Sequence, residues 1–165
     1  VGTIAALAER LQDTGLGPVI AESRYLWPVF EGTHLLSLSV SAGLIMLTDL
    51  RLIGVFLPQV PVIVVLRALR PYVLLGFALT FLSGALVFWS EAATVIESPL
   101  WTVKLLLIAL GGLNALYFEL VIGKRPEVVA NSAPLPRAVR YAGLASMTIW
   151  TLVILCGRLL AYVPR

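Results

Sequence analysis

WPVFEGTHLLSLSVSAGLIMLTDLRLIG, residues Trp27 to Gly54, decides what kind of protein this is. The stretch stays apolar for the roughly 20 residues that a helix needs to cross a bilayer. Yet its first half holds Glu31 and the chain's single histidine, His34. An ionisable side chain at membrane depth is costly, so one that is kept there marks a candidate functional site. The rest of the chain reads as packing around this helix.

Composition agrees. Of 165 residues, 59% are hydrophobic and 13% charged, and the mean hydropathy is +0.97. A soluble domain carries roughly 25% charged residues, so half of the usual solvated surface is missing. Several further apolar runs of spanning length point to an integral membrane protein of one domain, residues 1–165. The net charge of +3 is no nucleic-acid footprint, because the basic residues fall in two loops without interleaved aromatics. Cys156 is the only cysteine, which excludes an intrachain disulfide and a CxxC metal site. No Walker loop, GxGxxG fingerprint or HExxH occurs. No cleavable signal is legible at the start, and the chain opens on Val1 rather than Met, so preceding residues are expected.

Outward from the central stretch, residues 1–24 form an interfacial segment. Ile4, Leu7, Ala8 and Leu11 share one helical face opposite Glu9, Arg10 and Asp13, as in a helix lying along a membrane surface. Tyr25 and Trp27 suit the headgroup level, and Pro28 suits the first turn of a helix. The first span runs over about 27–48, with a stripe of small residues at Ser37, Ser41, Ala42 and Gly43. Asp49 and Arg51 read as an ion pair at its exit. Pro58 and Pro61 break the next segment, which predicts a short interfacial helix ending at Arg67 and Arg70. The second span is about 71–90, with Gly76 and Gly84 as points of close approach. An acidic loop, Glu91 to Glu97, follows. Ser98 and Pro99 make an N-cap and N1 pair for a third span over 100–122. A polar loop with Pro126, Pro134 and Pro136 leads to a fourth span, 138–163. The loops after spans one and three are net basic, which places them in the cytoplasm and both termini outside.

At about 1.5 Å rise per residue, His34 lies ~10 Å inside a boundary set by Trp27, and Lys104 ~9 Å inside one set by Ser98. Arg158 and Cys156 fall at comparable depth, counted back from Val163. Glu31 is one turn from His34 on the same face. Topology thus gathers Glu31, His34, Lys104 and Arg158 into one outward-side layer. Two readings are open. In one, Glu31 pairs with Lys104 or Arg158, His34 bonds within the bundle, and the layer only fixes helix packing. In the other, His34 is an axial ligand to haem iron, a site type built from facing helices, and Lys104 or Arg158 neutralises a propionate. A second axial histidine does not exist in this chain, while Met46 and Met147 lie deeper in the membrane. Cys156 with His34 as a copper site is a weaker expectation, a lone apolar-face cysteine being usually a small hydrophobe. Glu119 and Asn114 are expected to bond to neighbouring helices or a partner subunit.

WPVFEGTH followed by GLIMLTDLRLIG resembles a widespread family of small bacterial membrane proteins without an assigned activity. That family reads aromatic-Pro-x-x-Glu-x-x-His and then Asp-Leu-Arg-Leu-x-Gly. TVKLLLIALGGLNAL, with Lys104 and Asn114, fits the same pattern. So does SMTIWTLVILCGRLLAY, with Trp150, Gly157 and Arg158. A more distant likeness, a His early in one helix and Trp-x-x-Lys at the start of a later one, resembles HemJ-type protoporphyrinogen oxidases and the copper-resistance D membrane proteins. That resemblance implies haem b at His34 and Lys104. The expectation is therefore an all-α, four-helix integral membrane bundle in the bacterial inner membrane. It binds b-type haem for electron transfer or redox chemistry, and it self-associates or joins other membrane subunits. The alternative is a cofactor-free accessory subunit, and a third reading is copper or small-solute transport.

Overall fold

The chain's structure, a computed structural model, describes residues 2–129 and 135–162. Its elements are α1 (Gly2–Gln12), α2 (Leu16–Ala21), α3 (Leu26–Ile53), α4 (Val62–Ile96), α5 (Pro99–Tyr117), a π-turn (Phe118–Ile122), α6 (Pro126–Val129) and α7 (Arg137–Leu160). Among the described residues four helices are long and apolar enough to cross a membrane: α3, α4, α5 with its π-turn, and α7. The fold is the expected all-α bundle. Val1, Pro134 and Val163, which entered the sequence reading, lie outside the described residues.

Two boundaries are corrected. The expected interfacial helix before Pro71 is not separate: Val62 to Ile96 is one helix of 35 residues with Pro71 inside it. At ~1.5 Å per residue it is about 52 Å long, well beyond the ~30 Å hydrocarbon core. Proline is tolerated inside membrane helices because neighbouring groups and local adjustments satisfy the carbonyl it leaves unpaired. Pro61, with extended backbone, caps its start. The expected acidic loop is also helical as far as Ile96, after a break at Glu91 where φ is −131° and ψ is 18°. Finally, Ser98 does occupy the N-cap of α5 with Pro99 at N1, but its side chain makes no capping hydrogen bond.

Around the bundle the order is α4, α3, α7, α5. α3 lies along α4 and also against α7, α5 lies along α7, and the consecutive helices α4 and α5 barely touch. Glycines set the closest approaches. A Cβ on Gly76 would stand 2.9 Å from Ser41 Cβ, and one on Gly143 would stand 3.0 Å from Leu52 Cβ and 3.1 Å from the Asp49 carbonyl. Ser37, Ser41 and Ala42 are buried as a small-residue stripe requires, whereas Gly43 meets open space. At the end of the bundle away from His34, Leu52, Val62, Phe118, Ile122, Val128, Val139 and Ala142 form one apolar cluster. Leucines such as Leu36, Leu75, Leu82, Leu106 and Leu113 face outward, as contact with lipid requires.

The N-terminal helices dock on the far end of α4. The Trp89 indole N–H donates to the carbonyls of Leu11 at 2.8 Å and Thr14 at 3.1 Å. The Gln12 amide oxygen accepts the Ala93 N–H at 2.9 Å, two residues past the break at Glu91. Only Ala8 of the apolar face of α1 is buried. Ile4, Leu7 and Leu11 stay exposed, which suits a helix resting on a membrane surface.

Adding a methyl at Gly76 forces α3 and α4 apart and should cost about 1–3 kcal/mol, the usual range for overpacking. Gly112, where nothing lies within 4 Å, is the control. Thermal unfolding in detergent should show a lower Tm for Gly76→Ala and little change for Gly112→Ala.

Candidate functional site

The site is built on the seam between α3 and α4. Hydroxyls line it, and each returns its proton to a carbonyl of its own helix, a habit of Ser and Thr inside helices. Ser37 donates to the His34 carbonyl, Ser41 to the Ser37 carbonyl at 2.8 Å, Thr80 to the Gly76 carbonyl at 2.8 Å, and Ser83 to the Leu79 carbonyl at 2.6 Å. Thr80 Oγ1 also reaches Ser37 Oγ at 3.1 Å across the seam.

His34 is half-buried at the end of this row. Its Nδ1 lies 2.9 Å from the Thr80 carbonyl oxygen and 3.4 Å from Ser83 Oγ. A carbonyl oxygen can only accept, and the Ser83 hydroxyl proton is already committed to Leu79. The proton therefore belongs on Nδ1, and the lone pair on Nε2. Gly84 provides the room: a Cβ there would stand 2.8 Å from the imidazole Cε1 and 3.1 Å from Nδ1. Sequence reading singled out Gly84 for close approach but missed Thr80 and Ser83. Their only signal is that residues 80, 83 and 84 share one helical face.

Lys104 arrives from α5. It is half-buried, with its ammonium 5.9 Å from the centroid of the Trp101 ring one turn away. A Cβ on Gly157 of α7 would meet Lys104 Nζ at 3.4 Å. His34 is within electrostatic reach of Glu31 and Lys104, and Lys104 of Cys156. No ion pair joins Glu31 to Lys104 or Arg158, so the expected packing pairs are absent. Arg158 is exposed, its guanidinium 6.0 Å from the Tyr162 ring centroid, and among the described residues nothing joins it to His34 or Lys104. Met46 lies twelve residues beyond His34 on α3, about 18 Å at helical rise. Among the described residues no three His, Cys, Asp or Glu side chains cluster in a way that could hold a metal ion.

Elsewhere, Asn114 Nδ2 donates to the Ala142 carbonyl at 3.1 Å, the helix-to-helix bond expected of it. Glu119 forms a surface ion pair with Arg70 at 2.7 Å. Asp49 and Arg51 do not pair. Two residues apart on a helix, they face different ways, and the guanidinium donates to the carbonyls of Val60 and Pro58 in the following loop. A cavity of about 380 Å³, lined by Ser23, Arg24, Trp27, Ser90 and Glu91 among others, opens at the His34 end of the bundle.

Because the histidine is single, ¹⁵N spectra of histidine-labelled protein report this ring alone. The cofactor-free protein should show a protonated Nδ1 and a bare Nε2. Gly84→Ala should abolish that pattern by pushing the ring off Thr80.

The chain belongs to the family of unknown function DUF6644, whose profile spans residues 24–163. No curated protein and no solved structure matches it. None of these comparisons shows a similarity to HemJ-type or copper-resistance D proteins.

Proposed function

We propose that this member of the DUF6644 family holds b-type haem between its helices, with His34 Nε2 as an axial ligand, and serves electron transfer or redox chemistry in the bacterial inner membrane. The observation that carries the reading is the engagement of the ring. Histidines that ligate metals donate their other ring N–H to a carbonyl or carboxylate, which fixes the tautomer and the orientation. His34 has that arrangement, with Nε2 left unengaged and a glycine beneath the ring. The donor set fits one axial position, and Lys104 is the other nitrogen at that level.

Bound haem supplies one-electron chemistry at its iron. The chain's own residues hold and tune it. Thr80 fixes the ring. Lys104, with no acid to neutralise it, offers a cation to a propionate or a weak ligand. Glu31 adds negative charge near the imidazole. The exposed Arg158 suits a carboxylate at headgroup level. The loop charges favour both termini outside, with this layer toward the outer face. Self-association or assembly with other membrane subunits would use the outward-facing leucine surface and exposed glycines such as Gly43 and Gly112.

A second reading has its own support. The hydroxyl seam and the His34–Thr80 bond tie α3 to α4 without any cofactor, as a purely structural subunit would need. The visible spectrum of protein purified in detergent separates the two. The haem reading predicts a Soret band that is lost in His34→Ala and weakened or shifted in Lys104→Ala. A colourless, folded protein, in which His34→Ala costs only about the 0.5–1.5 kcal/mol of one hydrogen bond, leaves the structural role.

A further inference from the structure

Asp49 is the most deeply buried acidic side chain among the described residues. It is 3% exposed, and its Oδ2 has no hydrogen-bond partner. Ser146 of α7 is the one side chain that hydrogen-bonds to the carboxyl. α3 and α7 approach closely here: a Cβ on Gly143 would stand 3.1 Å from the Asp49 carbonyl and 3.0 Å from Leu52 Cβ.

Among the described residues no cation forms an ion pair with Asp49. On α3 itself, Arg51 is turned to Val60 and Pro58. On α4, Arg67 is exposed, and Arg70 is committed to Glu119. On α7, Arg140 is exposed, and the side chain facing Asp49 is the hydroxyl of Ser146. Asp49 also lies in the last turns of α3, where the helix dipole presents its negative end. A carboxylate there would be desolvated, unpaired and repelled, a combination that buried charges do not sustain.

We propose that Asp49 is a proton-binding site: its carboxyl sits in the bundle as the neutral acid and exchanges its proton with water at that end of the molecule. The exposed Gly54 that ends α3 is five residues away, about 7–8 Å at helical rise, so the path to water is short. The site is independent of the haem reading. It lies fifteen residues from His34 along the same helix, about 22 Å by the same rise. An intramembrane carboxyl that holds and releases a proton is the unit from which membrane proton relays are assembled.

Infrared spectroscopy of the full chain in detergent at neutral pH tests this. The expected result is a protonated-carboxyl C=O band that is absent in Asp49→Asn, changes frequency in Ser146→Ala, and shifts on transfer to D₂O. Absence of the band in the wild-type protein overturns the proposal, whether or not the variants fold. Persistence of the band in Asp49→Asn assigns it to another carboxyl and overturns it equally. A band that D₂O does not move describes a sealed structural acid and overturns the exchange. None of these readings depends on haem, so a colourless protein can still pass the test.

Discussion

Inside a bilayer a polar group has no water to turn to, and every donor must find an acceptor within the protein. For this bundle the constraint is concentrated in the imidazole of His34. Its Nδ1–H is satisfied by the Thr80 carbonyl, and the ring reaches that carbonyl only because Gly84 leaves space for it. The same contact fixes how α3 slides against α4. His34 meets Ser83, Ser37 meets Thr80, and Ser41 meets Gly76. Each step along α3 is matched by an equal step back along α4, so one register serves all three contacts. Moving the helices by a turn would strand the imidazole and set Ser41 against a residue with a side chain.

The second half of the site is delivered indirectly. α5 hardly touches α4, so Lys104 is placed by α7. Two glycine contacts define that pairing: Trp150 lies over Gly111, and Lys104 lies over Gly157. Seven residues separate each pair on its own helix, so this register is also single. Trp150 then meets Phe77 of α4 with ring centroids 4.8 Å apart, and Trp101 stacks on Phe88 at the same spacing. Aromatic contacts thus tie the α5–α7 pair to the α3–α4 pair at two heights, with the His34–Lys104 layer between them. The geometry of the layer follows from which glycines stand opposite which large side chains.

Much of this was legible in the sequence, because hydrophobic length and charge in loops are properties of the chain itself. The four spans and the close approaches at Gly76 and Gly84 follow from counting residues. What escaped counting was decided by tertiary partners. Pro71 reads as a helix start, but α4 runs through it, as helices in a membrane can. Glu91 reads as the start of a loop, yet the helix resumes after one distorted residue because Gln12, eighty-one residues earlier, accepts the Ala93 N–H. Asp49 and Arg51 read as a pair by proximity in sequence, but helical geometry sends them apart. Backbone continuity at Pro71 and Glu91 and side-chain direction at Asp49 and Arg51 were the quantities that counting residues did not supply.

Asp49 and His34 also show how one helix can answer the same constraint in two ways. His34 gives its single proton to a backbone carbonyl and keeps an unshared lone pair for something else. Asp49 has more acceptor capacity than its surroundings can fill, with one oxygen left over. The first arrangement is complete as a neutral imidazole and can accept a metal without losing any bond. The second is incomplete as an anion and becomes tolerable only by taking up a positive charge, and the smallest one available is a proton. The two ends of α3 are thus suited to different partners, an electron-pair acceptor at one and a proton at the other. The roughly 22 Å between them leaves each free to bind without direct contact with the other.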